Sequence, residues 1–214
     1  MKKRVIIYLL LSIVTSQLYS KNPFRFYNGD LIFQNVHCGL MCDAINEVTE
    51  GYKGRSFSHV GIVWVKRDSI FVIEAISKGV SVTPINDFLK RSHEAAIGRL
   101  KRSSPAFLNN VIKESLKCVG KPYDDDFDIN NDAYYCSELV YFAFKHANHN
   151  IPFFELHPMT YKSPKTKKFF PVWVDYFKAL NIPIPEGKPG INPGGISRSE
   201  KLEMHLDMLS GKTF

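Results

Sequence analysis

The feature that most restricts how this chain can fold is a pair of apolar runs with a short polar gap between them. His59-Val60-Gly61-Ile62-Val63-Trp64-Val65 and Ile70-Phe71-Val72-Ile73-Glu74-Ala75-Ile76 are rich in Val, Ile and Phe, and Lys66-Arg67-Asp68-Ser69 separates them. β-Branched and aromatic residues suit a pleated surface, and two such runs joined by a polar turn read as a β-hairpin. One residue is out of character. Glu74 stands among aliphatic neighbours, where a carboxylate costs free energy unless it has a partner.

Hairpin arithmetic names a partner. If the turn holds an even number of residues centred on Arg67-Asp68, Gly61 falls opposite Glu74. Strand side chains alternate between faces, so His59 shares the face of Gly61 and is the diagonal neighbour of Glu74. That diagonal spans roughly 7–8 Å between Cα atoms, within reach of a Glu, and Gly61 carries no side chain to block it. An odd-length turn would put Glu74 on the other face. In the even register an imidazolium meets a carboxylate that orients it.

Around the hairpin, the remaining pattern fits one α+β domain. Gly29-Asp30 turns into a strand at Leu31-Ile32-Phe33, and residues 80–83 and 96–100 are further short strands with a helical turn at 87–92 between them. Residues 38–49 are weakly helical, with Ala44, Ile45 and Val48 on one face, until Gly51 and Gly54 break the pattern. Ser104-Pro105 is a helix start, followed at helical spacing by Phe107, Leu108, Val111, Ile112, Leu116 and Val119 and stopped by Gly120. A second helix runs from Cys136 to about Ala147, with Leu139, Val140 and Ala143 on its apolar stripe. The Pro- and Gly-dense stretch 182–195 reads as an ordered loop, and residues 199–208 as a short amphipathic helix. No repeat and no linker divides the chain.

Its beginning bears on location. Lys2, Lys3 and Arg4 precede a ten-residue apolar run at 5–14 and a small, polar stretch ending near Ser20. That is the layout of a secretory signal, and the run is far short of the about 20 residues a membrane span needs. The expected division is a signal peptide at 1–20 and a catalytic domain at 21–214, exported to the periplasm or medium with no stable membrane span in the mature form. Losing the leader lowers the formal charge from +7 by three, to +4. The basic residues left form no dense stripe, and Lys165, Lys167 and Lys168 read as a solvated loop. Nucleic acid is therefore not an expected partner. Export also favours disulfides over free thiols. Cys38, Cys42, Cys118 and Cys136 allow three complete pairings, between which spacing does not choose, and burial as thiols is the alternative. His37 with Cys38 and Cys42 makes half a zinc site, but no second ligand pair follows, so no metal is expected.

Cys136 is the candidate nucleophile. As the first residue of a helix it faces unpaired N–H groups and the positive end of the helix dipole, both of which favour thiolate. The same N–H groups could hold an oxyanion. A thiolate nucleophile needs a base on a rigid element, and His59 at a strand start is placed to be one.

Taken in order, Gly29-Asp30-Leu31-Ile32-Phe33-Gln34, Phe57-Ser58-His59-Val60-Gly61-Ile62, Val72-Ile73-Glu74-Ala75 and Tyr134-Tyr135-Cys136-Ser137-Glu138-Leu139-Val140 resemble the circularly permuted branch of the NlpC/P60 papain-like superfamily, the YiiX/YaeF-type permuted amidases. Gly120-Lys121-Pro122-Tyr123-Asp124 and the tail from Pro185 to Gly194 are similar as well. In that branch the His strand precedes the Cys helix, the reverse of papain. The resemblance implies a permuted papain-like α+β fold, an antiparallel sheet or small barrel packed against helices. It implies Cys136 as nucleophile, His59 as base and Glu74 as the residue orienting it, with no cofactor. Tyr123 and Tyr135 become candidate pocket walls, with core packing the alternative. For Gln34 a place near the oxyanion and a structural turn both stay open. The expected activity is hydrolysis of an amide or ester through a thioester, on a small-molecule, peptide or lipid amide: a cell-wall peptide, an N-acyl amide or an amide of lysine. A thiol acyltransferase acting on lipids, as in lecithin:retinol acyltransferase-like relatives, and a non-catalytic binding module are the alternatives. A catalytic Cys136 stays unbridged, which leaves room for at most one disulfide.

Overall fold

The computed structural model describes residues 24–92 and 94–206, so the expected signal peptide lies outside the described residues. In chain order they form β1 (Leu31–Gln34), α1 (Leu40–Val48), β2 (His59–Lys66), β3 (Ser69–Ile76), β4 (Gly79–Pro84), α2 (Ile85–Leu89), β5 (Ala95–Leu100), α3 (Pro105–Lys117), α4 (Cys136–Ala147), β6 (His157–Pro158), α5 (Pro171–Leu180), β7 (Pro189–Gly190), α6 (Pro193–Ser197) and β8 (Leu202–Leu206).

The two apolar runs become β2 and β3. Lys66 pairs with Ser69, leaving Arg67-Asp68 as a two-residue turn with Arg67 at φ 53°. Ile62 lies opposite Ile73 and Val63 opposite Val72, the even register that carries Gly61 to Glu74. Six strands pair antiparallel in the order β4-β3-β2-β1-β5-β8. Both faces of this sheet are covered, which explains why its central strands are apolar on both sides. On one face Leu31, Phe33, Ile62 and Ile73 pack with Val111 of α3 and Leu139, Val140 and Phe144 of α4. On the other, Ile32, Val63, Val72 and Ile97 meet Phe26 and, from α2, Ile85 and Phe88. Ser104 caps α3 by accepting from Phe107 N at 3.1 Å, and Pro105 occupies the first helical position.

Two expectations are corrected. Within residues 199–208, 202–206 are strand and not helix: Leu202, Met204 and Leu206 alternate toward the core while β8 pairs with β5. An open sheet edge with free N–H and C=O groups outweighed a weak helical pattern. The loop at 182–195 contains β7 and α6, where Asn192 Oδ1 accepts from Gly195 N and Pro193 opens the turn. The cysteine pairing that spacing left open is Cys38 with Cys42, with Cys118 and Cys136 as the free cysteines among the described residues. The sequence also yielded no expectation for α5, which Pro171 starts and Asn181, at φ 57°, ends.

Candidate active site

The hairpin supplies the first two members of the site. His59 opens β2 and Glu74 lies in β3, fully buried, with His59 Nε2 2.6 Å from Glu74 Oε2. Gly61 makes this approach possible. A Cβ there would stand 2.3 Å from Val72 Cγ1 and 3.3 Å from Glu74 Cβ, so any other residue would push on the strand that holds the carboxylate.

Glu74 has more partners than the hairpin provides. Thr83 Oγ1 donates to its Oε1 at 2.6 Å, and Arg91 Nη2 lies 2.7 Å from both oxygens. A buried carboxylate is tolerated when paired and saturated with hydrogen bonds, and this one is. Its pKa is held below the usual range: burial pushes it up, but His59 first, then Thr83 and Arg91, outweigh that.

The third member comes from α4. Cys136 is its first residue and is 7% exposed, and the backbone of Val60 and of Ser137 hydrogen-bonds its sulfur. Its thiol and the His59 ring hydrogen-bond each other. With Nε2 committed to Glu74, Nδ1 is the nitrogen left for the thiol. Burial alone would keep both groups neutral, raising the thiol and lowering the imidazole. The pairing reverses this: the Cys136 pKa is lowered, and that of His59 is raised to about 9 by Cys136 first and Glu74 second. Both shifts favour a thiolate–imidazolium pair, with a carboxylate behind it.

Near the start of α4 lies a pair of buried carboxyls, Glu138 and Asp124. Glu138 Oε2 accepts from Tyr135 N at 3.2 Å, holding the start of α4. Asp124 Oδ1 accepts from Asn131 Nδ2 at 2.8 Å. Glu138 Oε1 and Asp124 Oδ2 are buried with no donor among the described residues, and one proton shared between the two carboxyls would satisfy both. Burial, with Asp124 second, raises Glu138 to about 9, so it is the protonated partner.

A cavity of about 540 Å³ opens onto Cys136 and His59. Tyr123 and Tyr135 line it, and Tyr135 also accepts from Ile191 N through its hydroxyl at 3.1 Å. Gln34 does not line it. It sits opposite His59 on β1, fully buried, its amide donating to Phe88 O at 3.0 Å, and so props up the residue whose ring lies beside His59. Sequence reasoning missed Thr83, Arg91 and the Asp124–Glu138 pair. Thr83 was within reach: carrying the hairpin arithmetic one strand further puts Ser81 opposite Glu74 and Thr83 on its diagonal. Arg91 follows α2, outside the sheet, and no periodicity leads to it.

A helix-borne thiol paired with an imidazole that a buried carboxylate backs, at the end of an antiparallel sheet, defines the papain-like class of cysteine hydrolases. Here the strand bearing the His comes before the helix bearing the Cys. The chain belongs to the permuted papain-like amidase family YaeF/YiiX, C92, whose model matches residues 25–204. It is 27% identical to the uncharacterised protein YiiX of Escherichia coli (strain K12) over 150 residues, 69% of each chain. It is also similar in fold to a solved structure described as metalloprotein yiiX from Escherichia coli O157:H7, DUF1105, with TM-score 0.71 and 21% identity, over 85% of this chain and 97% of that one.

Proposed function

We propose that the chain is an exported cysteine amidase, with Cys136 as nucleophile, His59 as acid and base, and Glu74 as the residue that orients and charges the ring. The observation that carries this is the arrangement of the three side chains: Cys136 at the head of α4 beside the His59 ring, with Glu74 2.6 Å from that ring, which lowers the thiol and raises the imidazole.

The thiolate sulfur adds to the substrate carbonyl carbon, and the oxyanion forms at the N-terminal end of α4, beside the positive end of the helix dipole. The C–N bond then breaks as His59 gives its proton to the departing amine, leaving a thioester on Cys136. Water adds to the thioester carbonyl while His59 takes one of its protons. The acid is released and the thiolate–imidazolium pair restored. Both shifts work toward the same end at neutral pH: they favour the ionised nucleophile and the protonated acid. The basic, apolar and small-residue leader at 1–20 is what supports export.

The structural neighbour is described as a metalloprotein. In this chain Cys38 and Cys42 are bridged, Glu74 is held by three partners, and no group of three or more His, Cys, Asp or Glu side chains among the described residues is placed to bind an ion, so no step is routed through one.

The test is to incubate wild type and Cys136→Ala with a mixed panel of muropeptides, N-acyl amino acids and lipid esters, and to follow each component by mass spectrometry. Hydrolysis of some component by wild type alone is expected. Conversion by both proteins, or transfer to an added amine without free acid, overturns hydrolysis through Cys136.

A further inference from the structure

Residues 118–135 join α3 to α4 without strand or helix, and they lead straight into Cys136. Tyr134 N donates to Pro122 O at 3.1 Å, which closes 122–134 into a loop. Its centre is Asp124, whose Oδ1 accepts from Asp126 N at 3.1 Å and from Asn131 Nδ2 at 2.8 Å. Phe127, held at φ 54°, packs its ring against Tyr135 at 5.2 Å and Trp173 at 5.7 Å. A bulky residue keeps such a backbone only where its surroundings enforce it. Tyr123 and Phe127 of this loop line the cavity onto which Cys136 opens.

The loop meets α4 through two carboxyls. Asp124 Oδ2 and Glu138 Oε1 are the oxygens that loop and helix leave over, in side chains at most 1% exposed, and neither has a donor from a third group among the described residues. A bond between them takes a proton, because two carboxylates in that interior would repel. The groups around the pair are Cys136 on α4, Tyr134 and Tyr135 ahead of it, Tyr123, Asp126 and Asp128 on the loop, and Tyr161 and Tyr176 beyond it. None of these is a cation that could hold both charges.

Building on the cysteine amidase reading, we propose that Glu138 is a positioning residue of the reaction: its carboxyl proton, donated to Asp124 Oδ2, clasps the 122–134 loop to the first turn of α4 and holds Tyr123 and Phe127 on the cavity beside Cys136. Loss of that proton sets two carboxylates against each other, the clasp opens, Phe127 leaves Trp173, and turnover stops. Glu138 and His59 are both raised to about 9, so on the alkaline side the site depends on two protons held at once. Gln at 138 is a permanent clasp, since its amide oxygen accepts from Tyr135 N and its amide N–H donates to Asp124 whatever the pH.

The test reads the clasp first without a substrate and then with one. The chain has two tryptophans, so in a Trp64→Phe parent Trp173 is the sole fluorophore of its kind. Acrylamide quenching of that parent is expected to rise at least about twofold from pH 7.5 to 9.5, and to stay level after adding Glu138→Gln, with circular dichroism showing that both are folded. In the second arm, kcat/KM is followed to pH 10 on the component of the muropeptide, N-acyl amino acid and lipid ester panel that Cys136 turns over. Its logarithm is expected to fall with a limiting slope of about −2 in wild type and about −1 in Glu138→Gln, two essential protons against one. Quenching that stays level in the parent, whether or not the variant folds, overturns the clasp. So does quenching that rises equally in Glu138→Gln, or one limiting slope for both proteins. A quenching step that Glu138→Gln abolishes, with no Cys136-dependent turnover of any component, overturns the amidase reading and leaves the clasp standing.

Discussion

Replacing Glu74 by Gln isolates what the carboxylate contributes, because the amide keeps the shape and loses the charge. His59 sits at about 9 against an ordinary 6.5, a difference that corresponds to about 3 kcal/mol in favour of the imidazolium. Burial works against that form, Cys136 contributes most to it, and Glu74 contributes second. Removing the second contributor is expected to lower the His59 titration midpoint. The neutral amide also leaves Arg91 without its anion. Arg91 is 33% exposed and can turn to water, so the loss of stability belongs at the low end of the range for breaking a buried pair, about 3 kcal/mol. For a chain of this size that is a melting temperature lower by about 6–12 °C. The assay is ¹³C NMR of histidine-labelled protein from pH 6 to 11, with the His59 signal assigned by its absence in His59→Gln, alongside thermal unfolding. Because thiol and imidazole titrate as a pair, the observed midpoint belongs to both. A wild-type His59 midpoint near 6.5, or a midpoint unmoved in Glu74→Gln, would refute the reasoning.

Four other substitutions probe neighbouring parts of the molecule. His59→Ala removes the main group that lowers the Cys136 thiol, so its alkylation by iodoacetamide at pH 7, read by peptide mass spectrometry, is expected to slow, and an unchanged rate would deny the ion pair. Gly61→Ala drives a Cβ to 2.3 Å from Val72 Cγ1 and is expected to cost about 1–3 kcal/mol in denaturant unfolding; no loss would mean that the sheet yields freely there. Glu138 keeps its proton in the fold to about pH 9, whereas the unfolded chain loses it above about 4.5, so this group's contribution to stability falls as pH rises between those values. Glu138→Gln is therefore expected to flatten the decline of melting temperature from pH 5 to 9, and an identical slope would contradict the shared proton. Cys38→Ser with Cys42→Ser opens a very short loop, for which chain entropy gives about 2 kcal/mol, or about 4–8 °C by calorimetry.

How much of this was legible depended on whether the signal was local. The β2–β3 register followed from composition and turn length, and with it the approach of Glu74 to His59, because a hairpin has only two parities. Cys136 at the head of α4 was equally visible, since an apolar stripe began at that residue. The docking of α4 onto β2 rested on family resemblance alone. Arg91 and the Asp124–Glu138 pair were invisible because they meet across loops with no period. The misread strand β8 shows the converse. Leu202-Glu203-Met204-His205-Leu206 alternates apolar with polar, but only the open edge of β5 makes that alternation the winning pattern.

The strand that carries His59 and the strand that carries Glu74 are neighbours in sequence, whereas α4 arrives much later in the chain. Contacts close in sequence form early and distant ones late. During synthesis the basic half of the site is complete before the sulfur is made, and the thiol keeps its ordinary, sluggish reactivity until α4 docks against β2. Chemical competence thus waits on the docking of α4 against β2, and the rate at which Cys136 gains reactivity toward an alkylating agent reports that packing step.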